Sequence, residues 1–253
     1  MGAKRRTTDP AGRAQALLAA LQRAADPQRA LLLQRFFKTG AGEYGEGGRF
    51  LGLTVPQVRA LTRPYHDVAL PEALRLLQNP WHEVRLAALM ILVAQFRGGD
   101  TAVRRRIYRA YLARISLIDN WDLVDSSAAD IVGGWLLAHR SEIVVLRRLA
   151  ADRSLWARRI AIIASFAFIR DGESAPTFAL ARTLLHDSHD LIHKAVGWML
   201  REVGKRVDRR VLRGFLDRHA HDMPRTMLRY AIEHLPAAQR QHYLTRRACR
   251  ARD

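Results

Sequence analysis

The chain has 253 residues, 49% of them hydrophobic, with 42 Lys+Arg against 24 Asp+Glu and a formal net charge of +18. The length allows one large core or two modest ones, and the charge surplus points to a polyanionic partner: nucleic acid first, then an anionic membrane surface or an acidic protein. The single cysteine, Cys249, excludes an internal disulfide and fits a reducing compartment, and no apolar run approaches 18 residues, so no membrane-spanning helix is expected.

Residues 1–10 read as a mobile basic tail without the apolar segment of a secretory signal. Residues 11–248 read as a single helical domain. In chain order, AQALLAALQRAA (14–25), PEALRLLQ (71–78), WHEVRLAALMILVAQF (81–96) and RRIAIIASFAFI (158–169) all carry apolar residues at helical spacing. Breaks fall at Pro, Gly and Asp/Asn-rich joints such as QNPWHE, FRGGDTA, IDNWD, RDGESAP, HDSHD and HDMPR. Between helices KTGAGEYGEGG (38–48) interposes a Gly-rich loop. It lacks the Gly-Lys-Ser/Thr of a Walker loop and reads as a turn, with phosphate contact by Lys38 or Tyr44 as a second reading.

The segments fall into helix pairs, and the pairs repeat. The tetrads VRLA (84–87), VDSS (124–127), RRIA (158–161), IHKA (192–195) and LRYA (228–231) align, with a shorter copy, VRAL, at 58–61. Their second positions are Arg59, Arg85, Asp125, Arg159, His193 and Arg229, spaced by 40, 34, 34 and 36 residues from Arg85 onward. Stacked pairs of this kind form an all-α, HEAT-like helical-repeat solenoid whose second helices line a concave face. The marked positions then make a basic row suited to a duplex backbone. Most of the cations are Arg and only four are Lys, so the choice of Arg carries less weight than the charge itself.

Asp125 interrupts the row. A carboxylate facing phosphates weakens binding, so it either pairs with Arg85 or Arg159, caps a helix, or performs chemistry. It stands four residues after Trp121, on the same helix face. An indole beside a carboxylate can hold a sugar that develops oxocarbenium character, and the carboxylate can position water on its anomeric carbon. Asp119 and Asn120 are placed to cap the helix at Trp121, and Asp122 reads as a first-turn acid on another face. Trp81, Trp135 and Trp156 read as packing residues. His186, His189 and His193 have spacing compatible with zinc, but lack a cysteine and a fourth ligand, so no metal or cofactor is expected. The cation runs 104–106 and 147–148 fall on first helices and read as a solvated outer face.

Taken together, FFKTGAGEYGEGGRFLGL (36–53), NPWHEVRLAAL (79–89), IDNWDLVDSSA (118–128), LWARRIAI (155–162) and IHKAVGWMLREVGK (192–205) resemble the AlkD-type DNA alkylation-repair glycosylases over about residues 28–245. The resemblance implies that Asp125, Trp121 and Trp198 carry base excision and that Arg159, or its neighbour Arg158, contacts the DNA backbone. It implies release of cationic N3- and N7-alkylated purines from duplex DNA without drawing the base into a pocket. Arg85, His193, Lys194, Arg229, Lys38 and Tyr44 complete the expected DNA-binding set. The chain departs from the family pattern at Ala41, where Pro is common, and at Gly48, where Asp is common. A monomer is the default for a solenoid of this length, and a cytoplasmic protein, nucleoid-associated through DNA binding, is expected. The competing expectation is a helical-repeat scaffold that binds nucleic acid without catalysis, or one that binds an acidic protein.

Overall fold

In the computed structural model the described residues are 10–245. The tail expected over 1–10 lies outside them apart from Pro10, as do Cys249 and the last residues of the expected domain. The described chain is helical nearly throughout, with one isolated bridge, Arg49 to Trp81, and no strand among the described residues. It divides into two compact units, residues 1–127 and 128–253.

The first unit contains α1 (Pro10–Arg23), α2 (Pro27–Phe36), α3 (Val55–Thr62), α4 (Leu70–Leu76), α5 (His82–Gly98), α6 (Thr101–Leu112) and α7 (Trp121–Asp125). Its centre is α5, which is apolar on most sides and buries Val84, Leu86, Leu89, Ile91, Leu92 and Phe96. Leu17, Leu21, Val58, Leu77, Ile107 and Tyr111 close around it. Each fully buried Leu or Ile contributes about 1.5–3 kcal/mol, so α5 organises the unit. Short caps fix the helix starts: Asp26 for α2, Thr54 with Gln57 in a capping box for α3, and Asp100 for α6. By contrast α2 buries none of its residues, and Leu31, Leu32 and Phe36 are each 63% exposed.

The segment entering α3 is held by a buried acid. Glu83, 1% exposed, accepts the backbone N–H groups of Leu51, Gly52 and Leu53 at 2.8, 2.8 and 3.0 Å. Gly52 has φ +89°, and a Cβ there would lie 2.0 Å from the Asp26 carbonyl, so only glycine fits.

The second unit contains a π-helical turn at Ala129–Gly133, then α8 (Gly134–Ala138), α9 (Val144–Ala150), α10 (Leu155–Ala164), α11 (Phe166–Arg170), α12 (Ala175–Thr183), α13 (Asp190–Arg206), α14 (Arg209–His219), α15 (Arg225–Ala231) and α16 (Ala237–Thr245). Its core is built on α10 and α13, with Ile160, Ile163, Phe168, Val196, Leu200 and Val203 buried against Phe215 and Met227. The backbones of α13 and α15 approach so closely that a Cβ on Gly197 would lie 2.5 Å from the Met227 carbonyl. The segment 158–169, expected as one helix, breaks at Ser165. Its hydroxyl donates back to the Ile162 carbonyl at 2.7 Å and receives Thr177 at 3.0 Å, a competition with the helix ladder that ends α10.

The fold is an all-α helical-repeat fold, as the sequence indicates. The marked tetrads lie on α3, α5, α10, α13 and α15 and at the end of α7, and the expected first helices are α6, α9, α12 and α14.

Candidate active site

In the first unit, Trp121 and Asp125 are the first and last residues of α7 and share one face of its single turn. The Asn120 side chain caps the turn, accepting the Trp121 N–H at 2.8 Å. Five residues cannot hold a helix by themselves, so tertiary contacts must. One is a buried pair below the turn: His82 Nε2 lies 2.7 Å from Asp122 Oδ2, with both side chains under 10% exposed. Asp122 is therefore more than the first-turn acid that the sequence suggests. Its partner opens α5, so α7 is fastened to the central helix.

Above the pair runs an aromatic stack. Trp121 lies on Phe37 with ring centroids 5.3 Å apart and planes 22° from parallel, Phe37 stacks on Phe50 at 5.0 Å, and Phe50 stacks on His82 at 4.6 Å. Phe36 meets the Trp121 ring edge-on at 5.9 Å. The indole is thus fixed from one side by groups of the first unit. His82, Phe36 and Phe37 were not singled out in the sequence, although the His stands directly after Trp81 and the Phe pair directly before Lys38.

Asp125 is half-buried. Near it lies the Tyr111 hydroxyl, 2.9 Å from Ser127 Oγ, which in turn donates to the Leu123 carbonyl at 2.6 Å. Burial pushes the Tyr111 phenol far above its ordinary range, and the negative charge of Asp125 pushes it further. The phenol therefore stays neutral, and the Asp125 charge is set in a polar but uncharged surround on that side.

Arg85 spends its guanidinium within the unit, donating to Asp119 Oδ1 at 2.6 Å, while its Nε is buried without a hydrogen-bond partner. Arg59 is exposed. The Gly-rich loop is wound rather than loose. Glu43 accepts the Gly40 N–H at 2.9 Å, Glu46 accepts the Gly42 N–H at 3.0 Å, and the N–H groups of Gly45, Gly47 and Gly48 go to the carbonyls of Lys38, Thr39 and Gly45. Those donors are spent internally and do not form a phosphate cradle. Lys38 is exposed, in the left-handed region at φ 51°, and Tyr44 is half-buried. A Cβ on Gly48 would lie 3.0 Å from the Gly45 carbonyl, so this winding of the loop favours glycine over the Asp that the family resemblance leads one to expect there. The loop, Arg85, Asp119 and Asn120 together line a polar cleft of about 440 Å³.

In the second unit, Trp198 is half-buried on α13, its Nε1 donating to Glu202 at 3.3 Å. Glu202 is 6% exposed and also accepts Arg206 Nε at 2.7 Å. The ring of Phe166 lies 6.4 Å from Trp198 and carries two guanidinium groups, Arg170 at 5.3 Å and Arg206 at 5.1 Å. The i,i+4 spacing of Trp198, Glu202 and Arg206 is visible in the sequence, but nothing there marks Glu202 as the acid that fixes the indole.

The two neighbouring arginines are distinguished by helix phase. Arg159 turns inward, 5% exposed, and donates to the Leu191 carbonyl at 2.6 Å. Arg158 lies nearer the surface and donates to Asp187 Oδ2 at 2.6 Å and to the carbonyls of Asp152 and Arg153. His189 caps α13, its Nδ1 accepting the Leu191 N–H, and burial chiefly lowers its pKa. His193 Nε2 meets the Asp187 carbonyl, and Lys194 pairs with Asp190 at 2.7 Å. Arg229 is exposed. Among the described residues no three His, Cys, Asp or Glu side chains converge to hold a metal ion. Trp135 is core, 3% exposed, and Trp81 and Trp156 are half-buried.

Residues 17–235 match the sequence pattern of a family described as DNA alkylation repair enzyme. Among solved structures, the chain is similar to one titled "Predicted DNA alkylation repair enzyme from Enterococcus faecalis", with a TM-score of 0.67 and 17% identity over 84% of this chain and 97% of that one. No curated protein matches.

Proposed function

Because the chain belongs to the DNA alkylation repair enzyme family, we propose that it is a monofunctional DNA glycosylase. It hydrolyses the N-glycosidic bond of cationic N3- and N7-alkylated purines in duplex DNA, without taking the base into a pocket. The observation that supports this most is the half-buried carboxylate of Asp125 on the same face as a Trp121 indole already fixed by Phe37.

As the bond to a cationic purine breaks, positive charge moves from the base onto the deoxyribose. The base leaves neutral, so no general acid is required. Asp125 stabilises the sugar cation and orients the water that attacks its anomeric carbon. The faces of Trp121 and Trp198 pack against the deoxyribose. Arg159 or Arg158, with Arg85, His193, Lys194, Arg229, Lys38 and Tyr44, holds the backbone. Schiff-base strand cleavage by a lysine is not part of the proposal. No metal or cofactor enters the chemistry, and the protein acts as a cytoplasmic monomer.

The test is single-turnover release of free base from a duplex carrying one N7-methylguanine, repeated with N3-methyladenine. Asp125→Asn should lose about 10²–10³ in rate, as when a transition-state charge stabiliser is removed, and should bind duplex as well as the wild type or better. Tight binding by both proteins with no release of either base sinks the glycosylase reading in favour of a non-catalytic scaffold.

A further inference from the structure

We infer that a small notch at the C-terminal end of α13 is a phosphate-binding site for the DNA backbone. This rests on the reading that the protein binds duplex DNA, and it adds residues outside the set assigned to that role above. The notch has a volume of about 120 Å³ and is lined by Arg201, Lys205, Arg209 and His234 beside Gly204 and Leu212, with no carboxylate in its lining. That is well under the roughly 300 Å³ of a small-molecule pocket. It suits a single phosphate group rather than a nucleoside.

Charge makes the case. Arg201 is already neutralised, its guanidinium paired with Glu233 and its Nε 3.9 Å from Glu202. Lys205 and Arg209 have no ion-pair partner among the described residues, and both are exposed. Lys205 in the last turn of α13 has an ordinary explanation, because a cation there complements the helix dipole. Arg209 does not. It lies in the first turn of α14, where the dipole disfavours a cation, and the Asp208 carboxylate beside it caps the Arg210 N–H. Two uncompensated cations on one small concavity repel each other, and a bound anion relieves that cost.

Position points to the source of the anion. Lys205 follows Trp198 by seven residues, two turns, and lies on nearly the same face of α13. The separation along the axis is about 10 Å at 1.5 Å per residue. A strand whose sugar lies against Trp198 therefore has backbone phosphates within reach of the notch.

The experiment is fluorescence anisotropy of an undamaged duplex oligonucleotide, titrated at several salt concentrations. It compares the wild type, the double variant Lys205→Gln/Arg209→Gln, and a control, Arg147→Gln/Arg148→Gln, altered at exposed positions on α9. The double variant should bind about 5–10-fold more weakly near physiological salt, with the slope of log K against log salt reduced by about one. The control loses the same charge and should keep the wild-type slope. An unchanged slope in the double variant, or an equal fall in the control, overturns the site. A melting-temperature gain from inorganic phosphate that the double variant loses, with its duplex slope unchanged, marks a free-anion site and overturns the backbone assignment. Base release is scored separately: loss of slope without release sinks the glycosylase reading and keeps the site, and release with unchanged slope does the reverse.

Discussion

At Glu202 one buried carboxylate accepts hydrogen bonds from the Trp198 indole N–H and the Arg206 guanidinium. Replacing it with Leu leaves Arg206 without its acceptor and frees the indole. Arg206 is 44% exposed and returns to water, so the loss should cost about 1–3 kcal/mol of stability, read by urea denaturation. Glu202→Gln keeps an acceptor and should cost less. The indole N–H resonance of Trp198 should shift in both variants, a signature of its positioning that general destabilisation alone does not produce. The pairing of Trp121 with Asp125 was legible because residues four apart on a helix must share a face. The choice between Arg158 and Arg159 was not, since adjacent residues point 100° apart and only the packed phase of α10 decides which turns inward.

An element of five residues such as α7 depends on what lies beneath it. His82 and Asp122 fasten it to α5, and Phe37 and Phe50 fill the space between the Gly-rich loop and Trp121. His82→Leu should leave Asp122 buried without its partner. We expect a loss of about 2–4 kcal/mol and an excision rate that falls further than duplex affinity does, because the indole and Asp125 both ride on that turn. Equal losses in rate and affinity would mean that the pair only stabilises the fold. The Glu83 clamp makes a parallel case. Glu83→Ala strands three backbone N–H groups and should destabilise the unit by about 2–4 kcal/mol, seen as a lower urea midpoint. The all-α class was read correctly from periodicity, since the period of apolar residues reports which side is buried. The break at Ser165 escaped it, because a hydroxyl bonding back to the Ile162 carbonyl leaves the hydrophobic pattern intact.

Over the whole molecule the cations behind the +18 charge differ in their surroundings. Some are tied to an acid about one repeat ahead: Arg85 to Asp119, Arg158 to Asp187, Arg140 to Glu173 and Arg201 to Glu233, at separations of 34, 29, 33 and 32 residues. Others, including Arg59, Lys205, Arg209 and Arg229, are exposed to solvent. The tied pairs that are half-buried are screened little by salt, whereas self-repulsion among the exposed cations is screened strongly. The melting temperature should therefore rise as ionic strength goes from about 20 to about 200 mM, and a fall would show that the ion pairs dominate. The sequence by itself determined the all-α class, the repeat spacing, the surplus of positive charge and the candidate trio Asp125, Trp121 and Trp198, because periodicity, net charge and family motifs are properties of the linear chain. Only the tertiary structure decided which cations are free to meet phosphate, what fixes each indole and how the Gly-rich loop is wound. Those depend on acceptors some thirty residues away in sequence, and a linear pattern does not record whether a donor has already met its partner.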